Sequence, residues 1–266
     1  MLERIAAAAI AALLISTAVR AEPYVEANRA NSAGKPLRVI PPLVAPSRTE
    51  VRQRLGLQYE TGDGVPQDFR EAARWYRLAA VQGLAEAQNS LGVLYQKGLG
   101  VPQDYGESAK WLRLAAEQGL AFGEGNLGLM YANGEGVPKD YAEAFRWFQA
   151  AADQGLADAQ YNIGFLYQNG RGVARDFGQA LKWLRLAAGQ GHAAALAKLG
   201  FMYGSGQGVN RDNVAAFAWF DLAVTRGNSG AAKSRDFIAA QLTPDQLTQA
   251  RQLVREWGAT MAASNE

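Results

Sequence analysis

The chain has 266 residues, and its 27 Lys and Arg against 25 Asp and Glu give a formal net charge of +2 at pH 7. A chain this close to neutral carries no general electrostatic field for nucleic acid. It has no cysteine and one histidine, which excludes a thiol nucleophile, a disulfide framework and a zinc site built from His and Cys.

Residues 1–21 have the pattern of a secretory signal peptide. Arg4 adds positive charge near the amino terminus, a largely apolar stretch runs from Ile5 to Val19, and Val19 and Ala21 place small side chains at the two cleavage subsites. The stretch is shorter than the roughly 20 apolar residues of a membrane span. We expect cleavage after Ala21 and a periplasmic or secreted protein with no membrane span, with an uncleaved anchor as the alternative.

Residues 22–46 predict a linker. They hold five of the nine prolines and show no helical period, which is typical of an extended or disordered tether. The segment from Val39 to Val44 is apolar, so docking of this segment on the folded part is the alternative. Ser47 and Glu50 then have capping-box spacing and predict the start of the first helix.

The next part of the chain repeats one unit five times. The blocks recur every 36 residues and start at Leu55, Leu91, Leu127, Ile163 and Leu199. A period of this length is typical of solenoids, so it decides the fold class before any single residue does. Nine positions are identical in all five blocks, and in the second block these are Gly92, Tyr95, Gly98, Gly100, Val101, Asp104, Trp111, Ala115 and Gly119.

Each block predicts two helices. The first carries apolar residues at i, i+4 and i+8, as in Ala159, Ile163 and Tyr167, and ends at a glycine. A glycine inside this helix predicts that two helices approach closely with no side chain between them. An Asp starts the second helix, which has an apolar face such as Ala144, Trp147, Phe148 and Ala151. Four of these Asp residues have Glu or Gln three residues later, the spacing of a capping box: Asp68, Asp104, Asp140 and Asp176.

A final helix is predicted from Thr243 to about Trp257. Its apolar side and its polar side suit a helix that caps the end of a solenoid. We therefore assign residues 47–236 to the repeats and residues 237–266 to a C-terminal capping region. The apolar side consists of Leu247, Ala250, Val254 and Trp257.

The repeated pattern resembles the Sel-one-like repeat family, a relative of the tetratricopeptide repeats. The pattern is Ala-x-x-x-Leu-Gly-x-x-Tyr-x-x-Gly-x-Gly-Val-Pro-x-Asp, followed by Ala-x-x-Trp and Ala-Ala-x-x-Gly, and the second block matches it from Ala87 to Gly119. Ala174 and Asn210 replace the turn proline in the last two blocks. The resemblance implies an all-α fold, a right-handed α-solenoid of stacked antiparallel helix pairs, with five 36-residue repeats plus C-terminal capping helices.

Residues that could carry chemistry have structural explanations. His192 lies in a link between helices, Gly62-x-Gly64 lacks the third glycine of a phosphate-binding loop, and the repeated Asp residues cap helices. We therefore expect no enzyme, no catalytic residue, no cofactor and no metal site. A basic ridge on the second helices predicts a solvated outer face, with a site for an anionic polymer as the alternative. The ridge consists of Arg74, Arg77, Lys110, Arg113, Arg146, Lys182 and Arg185.

One row of residues on the first helices is a candidate binding surface. Two residues after each block start, on the side opposite the core stripe, the residue is always apolar: Leu57, Val93, Leu129, Phe165 and Phe201. Polar residues lie near this row on the helical wheel: Tyr161, Gln96, Gln168, Asn133 and Asn169. In the family this face lines the concave groove, so the resemblance implies an extended peptide or a partner helix as the ligand. The alternative is that tight stacking buries the row between adjacent hairpins.

These features predict an exported scaffold or adaptor that binds protein partners and does not catalyse a reaction. Resemblance to bacterial members of the family suggests regulation of an envelope, exopolysaccharide or signalling process through the concave face. The alternatives are a protein that binds or modifies cell wall or polysaccharide, and a secreted factor that engages a host.

Overall fold

The computed structural model describes residues 47–263, and within that range the chain forms twelve α-helices and no strand. The five first helices are α1 (Arg48–Thr61), α3 (Ala85–Lys97), α5 (Ala121–Asn133), α7 (Ala157–Asn169) and α9 (Ala193–Ser205). The five second helices are α2 (Phe69–Ala80), α4 (Tyr105–Glu117), α6 (Tyr141–Asp153), α8 (Phe177–Gly189) and α10 (Asn213–Thr225). Two more follow, α11 (Ala231–Ala239) and α12 (Pro244–Ala263). The expected signal peptide and linker lie outside the described residues.

The helices pack in chain order. Each first helix lies against the second helix of its own repeat, and each second helix contacts the first helix of the next repeat. A single pair cannot bury its own apolar face, but stacked neighbours bury it between them. The all-α solenoid of stacked helix pairs is therefore confirmed.

The ends of the first helices agree with the sequence pattern. The block-start residues are buried, and each first helix ends at a glycine in the left-handed conformation, which an L side chain rarely adopts. Gly134 has φ of 80°, and its N–H donates to the carbonyl of Met130 at 2.8 Å. This is the C-cap that the sequence predicted. The second helices end two or three residues before the glycines that the pattern marked as their ends.

The second helices start at the predicted Asp residues, but the capping box is only half formed. The Asp104 carboxylate accepts from the Glu107 N–H at 2.9 Å, as expected. The Asp104 N–H, however, donates to the carbonyl of Tyr95 at 3.0 Å rather than to the Glu107 side chain. Because the first helix supplies that acceptor, Glu107 instead pairs with Lys110 at 2.6 Å.

The glycine inside each first helix provides room for a side chain. A Cβ on Gly128 would lie 2.8 Å from the ring of Phe148, which projects from the second helix of the same repeat. The expectation of two helices meeting with nothing between them was wrong in this detail. The glycine is needed because a large side chain fills the place where a Cβ would be. The other repeats use Tyr76, Leu112, Leu184 and Phe220 in the same way.

Each second helix has two apolar faces. Phe148 is buried in a cluster that also contains Ile163 of the next repeat. Trp147, the residue before it, is half-buried and packs against a second cluster, in which Leu112 of the preceding repeat meets Leu127 of its own repeat. The packed face predicted from the sequence is therefore two surfaces, one that meets the following repeat and one that meets the preceding repeat.

A row of exposed amides at the ends of the second helices bonds to buried side chains on the first helix of the same repeat. Two of these amides also join repeats, because Gln154 and Gln190 donate to the carbonyls of Gly119 and Gly155 in the preceding repeat at 3.0 and 2.8 Å. Gln118 Nε2 donates to Gln88 Oε1 at 2.6 Å, and Gln190 Nε2 donates to Gln160 Oε1 at 2.9 Å. Between them, Gln154 Nε2 donates at 2.8 Å to Glu124, which stands where the neighbouring repeats have Gln. Burial raises the pKa of the Glu124 carboxyl.

The C-terminal helix caps the solenoid as predicted, and it runs past Trp257 to Ala263. Its first turn has a complete capping box, because Thr243 and Gln246 each accept from the backbone N–H of the other. The helix lies against α10, where the ring of Trp257 stacks on Trp219 with centroids 4.2 Å apart. The expected boundary between residues 236 and 237 falls inside α11.

Candidate functional site

The apolar row on the first helices is largely exposed. Leu57 and Phe201 are each 50% exposed and Leu129 is 38% exposed. Val93 and Phe165 are half-buried at the margins of the buried clusters. These exposures favour an open surface over a row buried by stacking between hairpins.

The row has a sixth member that the sequence analysis missed. Phe237 on α11 follows Phe201 by one repeat period and is 69% exposed, the most exposed large apolar side chain among the described residues. The 36-residue spacing identifies it, but α11 lacks the Leu-Gly-x-x-Tyr core that marks the first helices of the five repeats. Phe122 on α5 was missed as well, although it precedes Leu129 by seven residues and so lies on the same helix face. We call the six residues Leu57, Val93, Leu129, Phe165, Phe201 and Phe237 the first-helix row.

Two clefts open along this row. One, about 60 Å³, lies between α5 and α7 beside Phe122 and Leu129. The other, about 350 Å³, lies between α9 and α11, with Phe201 and Phe237 among its lining residues and Phe220 and Ile238 beside them. The second cleft has the size of a small-ligand pocket and could hold a large apolar side chain.

A missing side chain helps to explain the larger cleft. Gly204 lines it, and the same position in two earlier repeats holds Gln96 and Gln168. A Cβ added to Gly204 would make only ordinary contacts, 3.5 Å from Ala216 and 3.6 Å from Ile238. The space is therefore left open by the sequence and not by a backbone constraint.

Two of the predicted polar neighbours have structural partners. Gln96 Nε2 donates to Glu135 at 3.1 Å, and Gln168 Nε2 donates to Gln207 at 3.0 Å. Both acceptors lie in the turn of the next repeat, and Gln168 is buried. These amides hold successive repeats together, so we leave Gln96 and Gln168 out of the proposed surface.

The other predicted neighbours differ in exposure. Asn133 and Asn169 are exposed at the ends of their helices, where Asn133 donates to Glu135 at 3.3 Å and Asn169 donates to the carbonyl of Phe165 at 2.7 Å. Tyr161 is half-buried, its ring stacks on His192 at 4.8 Å, and burial raises the pKa of its hydroxyl. Asn133 and Asn169 can therefore meet a ligand, whereas Tyr161 mainly supports the link between repeats.

His192 has a structural role. Its Nδ1 accepts from the N–H of Ala195 at 3.1 Å and caps α9, while Nε2 lies 2.9 Å from Asp158. Both ring nitrogens are therefore occupied. Among the described residues, no group of three or more Asp, Glu, His or Cys could hold a metal ion.

Cations cluster at one end of the row. Phe165 lies between Arg171 and Lys198, whose charged groups are 5.5 and 5.7 Å from its ring centroid. Burial lowers the pKa of the Lys198 ammonium. Lys233 lines the cleft beside Phe237. None of these three cations has a carboxylate partner within residues 47–263.

The outer basic ridge is largely engaged. Arg74, Lys110 and Arg146 each pair with a Glu three residues earlier, at 3.5, 2.6 and 2.8 Å. Such exposed pairs contribute about 0.2–0.5 kcal/mol each. Arg113 donates at 2.8 Å to the hydroxyl of Tyr131, and Arg77 and Arg185 make the same contact to the following repeat. The ridge therefore ties helices together more than it offers unpaired charge.

The fold and this surface define a class of protein: an α-solenoid of helical hairpins whose first helices present an apolar row to solvent. The Sel1 repeat model matches five segments, residues 52–84, 85–120, 122–156, 157–192 and 193–228. The chain therefore belongs to the Sel1 repeat family. Proteins built from these repeats generally mediate protein–protein interactions, and the fold is typically a scaffold without catalysis.

Solved structures agree with this assignment. A Sel1 repeat protein from Oxalobacter formigenes is 31% identical with a TM-score of 0.70, over 80% of this chain and 84% of that one. The protein c5321, a protective antigen of uropathogenic Escherichia coli strains with an SLR fold, is 37% identical with a TM-score of 0.69. That match covers 81% of this chain but only 46% of c5321. Immunity protein Pa5087 from Pseudomonas aeruginosa, at 21% identity and a TM-score of 0.50, shares the fold. A comparison with curated protein sequences gave no match.

No helix within the described part of the chain is long and apolar enough to traverse a lipid bilayer.

Proposed function

We propose that this chain is an exported scaffold that binds a protein partner along the first-helix row and regulates an envelope, exopolysaccharide or signalling process. The bound segment would be an extended peptide or a helix lying across successive first helices. The observation that carries the proposal is the exposure of apolar side chains on α1, α5, α9 and α11, at positions separated by multiples of 36 residues. Large apolar side chains in a regular exposed row are typical of interaction sites.

The direct test is partner capture by variants of the row. Leu129→Ser with Phe201→Ser removes two exposed row residues, and Leu114→Ser with Leu186→Ser removes two comparably exposed residues from the second helices. We expect the first pair to weaken capture from an envelope extract while the melting midpoint stays close to that of the control pair. Equal capture by both variants would contradict the proposal.

Export is the second part of the proposal and has its own test. The pattern of residues 1–21 supports it, and so does the relationship to c5321, which is a protective antigen. The intact mass of protein from a periplasmic or culture fraction should correspond to a chain that starts at Glu22. A full-length chain recovered from the cytoplasm would contradict export.

A further inference from the structure

The first-helix row changes character along the solenoid. Its members are Leu57, Val93 and Leu129 in the first three repeats, Phe165 and Phe201 in the last two, and Phe237 on α11. The charge nearby changes as well. Arg171 stands one period after Glu135, and Lys198 stands one and two periods after Asn162 and Asn126. The C-terminal part of the row therefore combines large aromatic rings with positive charge.

Two of these cations are placed beside the rings by helix geometry. Lys198 precedes Phe201 by three residues on α9, and Lys233 precedes Phe237 by four residues on α11, so each shares a helix face with its phenylalanine. Lys198 is half-buried and also contacts the ring of Phe165. A partly desolvated ammonium with no carboxylate partner in the described structure favours the approach of an anion.

We propose that the C-terminal end of the row binds an acidic peptide segment, with one large apolar side chain in the cleft between Phe201 and Phe237 and adjacent carboxylates on Lys198 and Lys233. This rests on the proposed function and specifies the chemistry of the partner. The cleft explains the apolar side chain, and the lysines on α9 and α11 explain the acids on either side of it. Exposed phenylalanines and lysines can also bind single-stranded nucleic acid. The small, largely apolar cleft and the small number of cations favour a peptide, since a nucleic-acid groove tracks many phosphates.

The sequence provides variants that test the cleft without endangering the fold. Gly204→Gln introduces the residue that Gln96 and Gln168 hold in other repeats, and its Cβ meets only ordinary contacts. The substitution favours the helix, because glycine is a poor residue in a helix interior. The rest of the glutamine side chain would occupy the cleft. Gly204→Ala is the matched control, since it adds the Cβ and leaves the cleft open.

The probe is a short fluorescein-labelled peptide with a Leu-Phe pair flanked by glutamates, titrated with the full chain and followed by fluorescence anisotropy. One matched peptide carries lysines in place of the glutamates, and a second carries serines in place of Leu-Phe. We expect only the first peptide to bind, with an affinity that falls as salt is added. Lys198→Gln with Lys233→Gln and, separately, Gly204→Gln should each weaken binding about tenfold. Gly204→Ala, and Lys110→Gln with Lys182→Gln on the outer face, should leave it unchanged.

Other possible occupants of the cleft would give different results in these binding experiments. Equal binding of the acidic and basic peptides, no binding of any peptide, or tighter binding of an oligothymidine would overturn the proposal. Binding that appears only after residues 22–46 are removed would assign the cleft to the chain's own apolar segment, and dimers abolished by Gly204→Gln would assign it to a second copy. Partner capture from extract that depends on Leu129 but not on Lys198, Lys233 or Gly204 would retain the proposed function and overturn this inference alone.

Discussion

At the scale of single residues, the position of a repeat in the stack decides what a substitution does. Gly64 and Gly136 occupy the same place in the turn of their repeats, with φ of 73° and 67°. A Cβ on Gly136 would lie 2.0 Å from the backbone carbonyl oxygen of Tyr105 in the preceding repeat. A Cβ on Gly64 would meet nothing within 4 Å. The two glycines therefore share a backbone conformation, but only Gly136 lies against the backbone of a preceding repeat.

Alanine variants of Gly64 and Gly136 separate the cost of backbone strain from the cost of disturbing the contact between repeats. Gly64→Ala should cost about 1–2 kcal/mol of unfolding free energy, because an L residue is strained in the left-handed region. Gly136→Ala should cost about 1–3 kcal/mol more, since the backbone of two repeats must move apart. Urea unfolding of the two variants measures the difference. Equal losses would mean that the turns do not contact the preceding repeat.

Glu124 gives a prediction that depends on pH. Burial raises the pKa of its carboxyl in the folded chain above the value in the unfolded chain. The native state therefore binds more protons, and the carboxyl costs stability as the pH rises through the folded pKa. Glu124→Gln restores the residue of the neighbouring repeats, and its amide oxygen can still accept from Gln154. The variant should exceed wild type in urea midpoint at about pH 8, and the gain should shrink at about pH 4. A gain that does not vary with pH would contradict this account.

At the scale of helices, the C-terminal end departs from the repeat. In the first five repeats the second helix packs on the first helix of its own pair, but α12 packs mainly on α10. This arrangement buries Leu222, whose counterparts Leu78, Leu114 and Leu186 are exposed. It also leaves Phe237 on α11 open to solvent. One helix therefore both caps the core and leaves the end of the row accessible.

The stacking of Trp257 on Trp219 allows a test of how much the contact of α12 with α10 stabilises the fold. Trp257→Ala should lower the free energy of unfolding by about 1–3 kcal/mol, less than for a fully buried tryptophan because the ring is half-buried. Phe237→Ala, on the open side of α11, should change it by less than about 0.5 kcal/mol. Thermal melts of both variants decide this. If the two losses are equal, α11 contributes to the core and the row ends at Phe201.

The helices could be predicted because their signals are local. The 36-residue period, the capping Asp residues and the glycines at helix ends fix the helix boundaries to within a few residues. The roles of Gln96 and Gln168 could not be predicted, because their hydrogen-bond acceptors lie 39 residues later in another repeat. The cleft at Gly204 was equally hidden, since a helical wheel shows where side chains point and not the space left by one that is missing.

At the scale of the whole molecule, the solenoid is a linear array in which each repeat contacts its neighbours. The core and the outer basic ridge are used to hold that array together, through the tryptophans, the amide row and the Arg–Tyr contacts. The first-helix row, in contrast, leaves large apolar side chains exposed to solvent at Leu57, Leu129, Phe201 and Phe237. The account therefore depends on one central claim, that the row is the surface that binds the partner.

Site-specific photo-crosslinking in the producing cell tests that claim most directly. A photoreactive phenylalanine analogue would replace one residue at a time, at Leu57, Leu129, Phe201 or Phe237 on the row and at Leu78, Leu114 or Leu186 on the second helices. All seven positions are exposed in the folded chain. We predict that the row positions give a crosslinked partner of one common mass and that the second-helix positions do not. Crosslinks from the second-helix positions alone would place the binding surface on the opposite face and contradict the account.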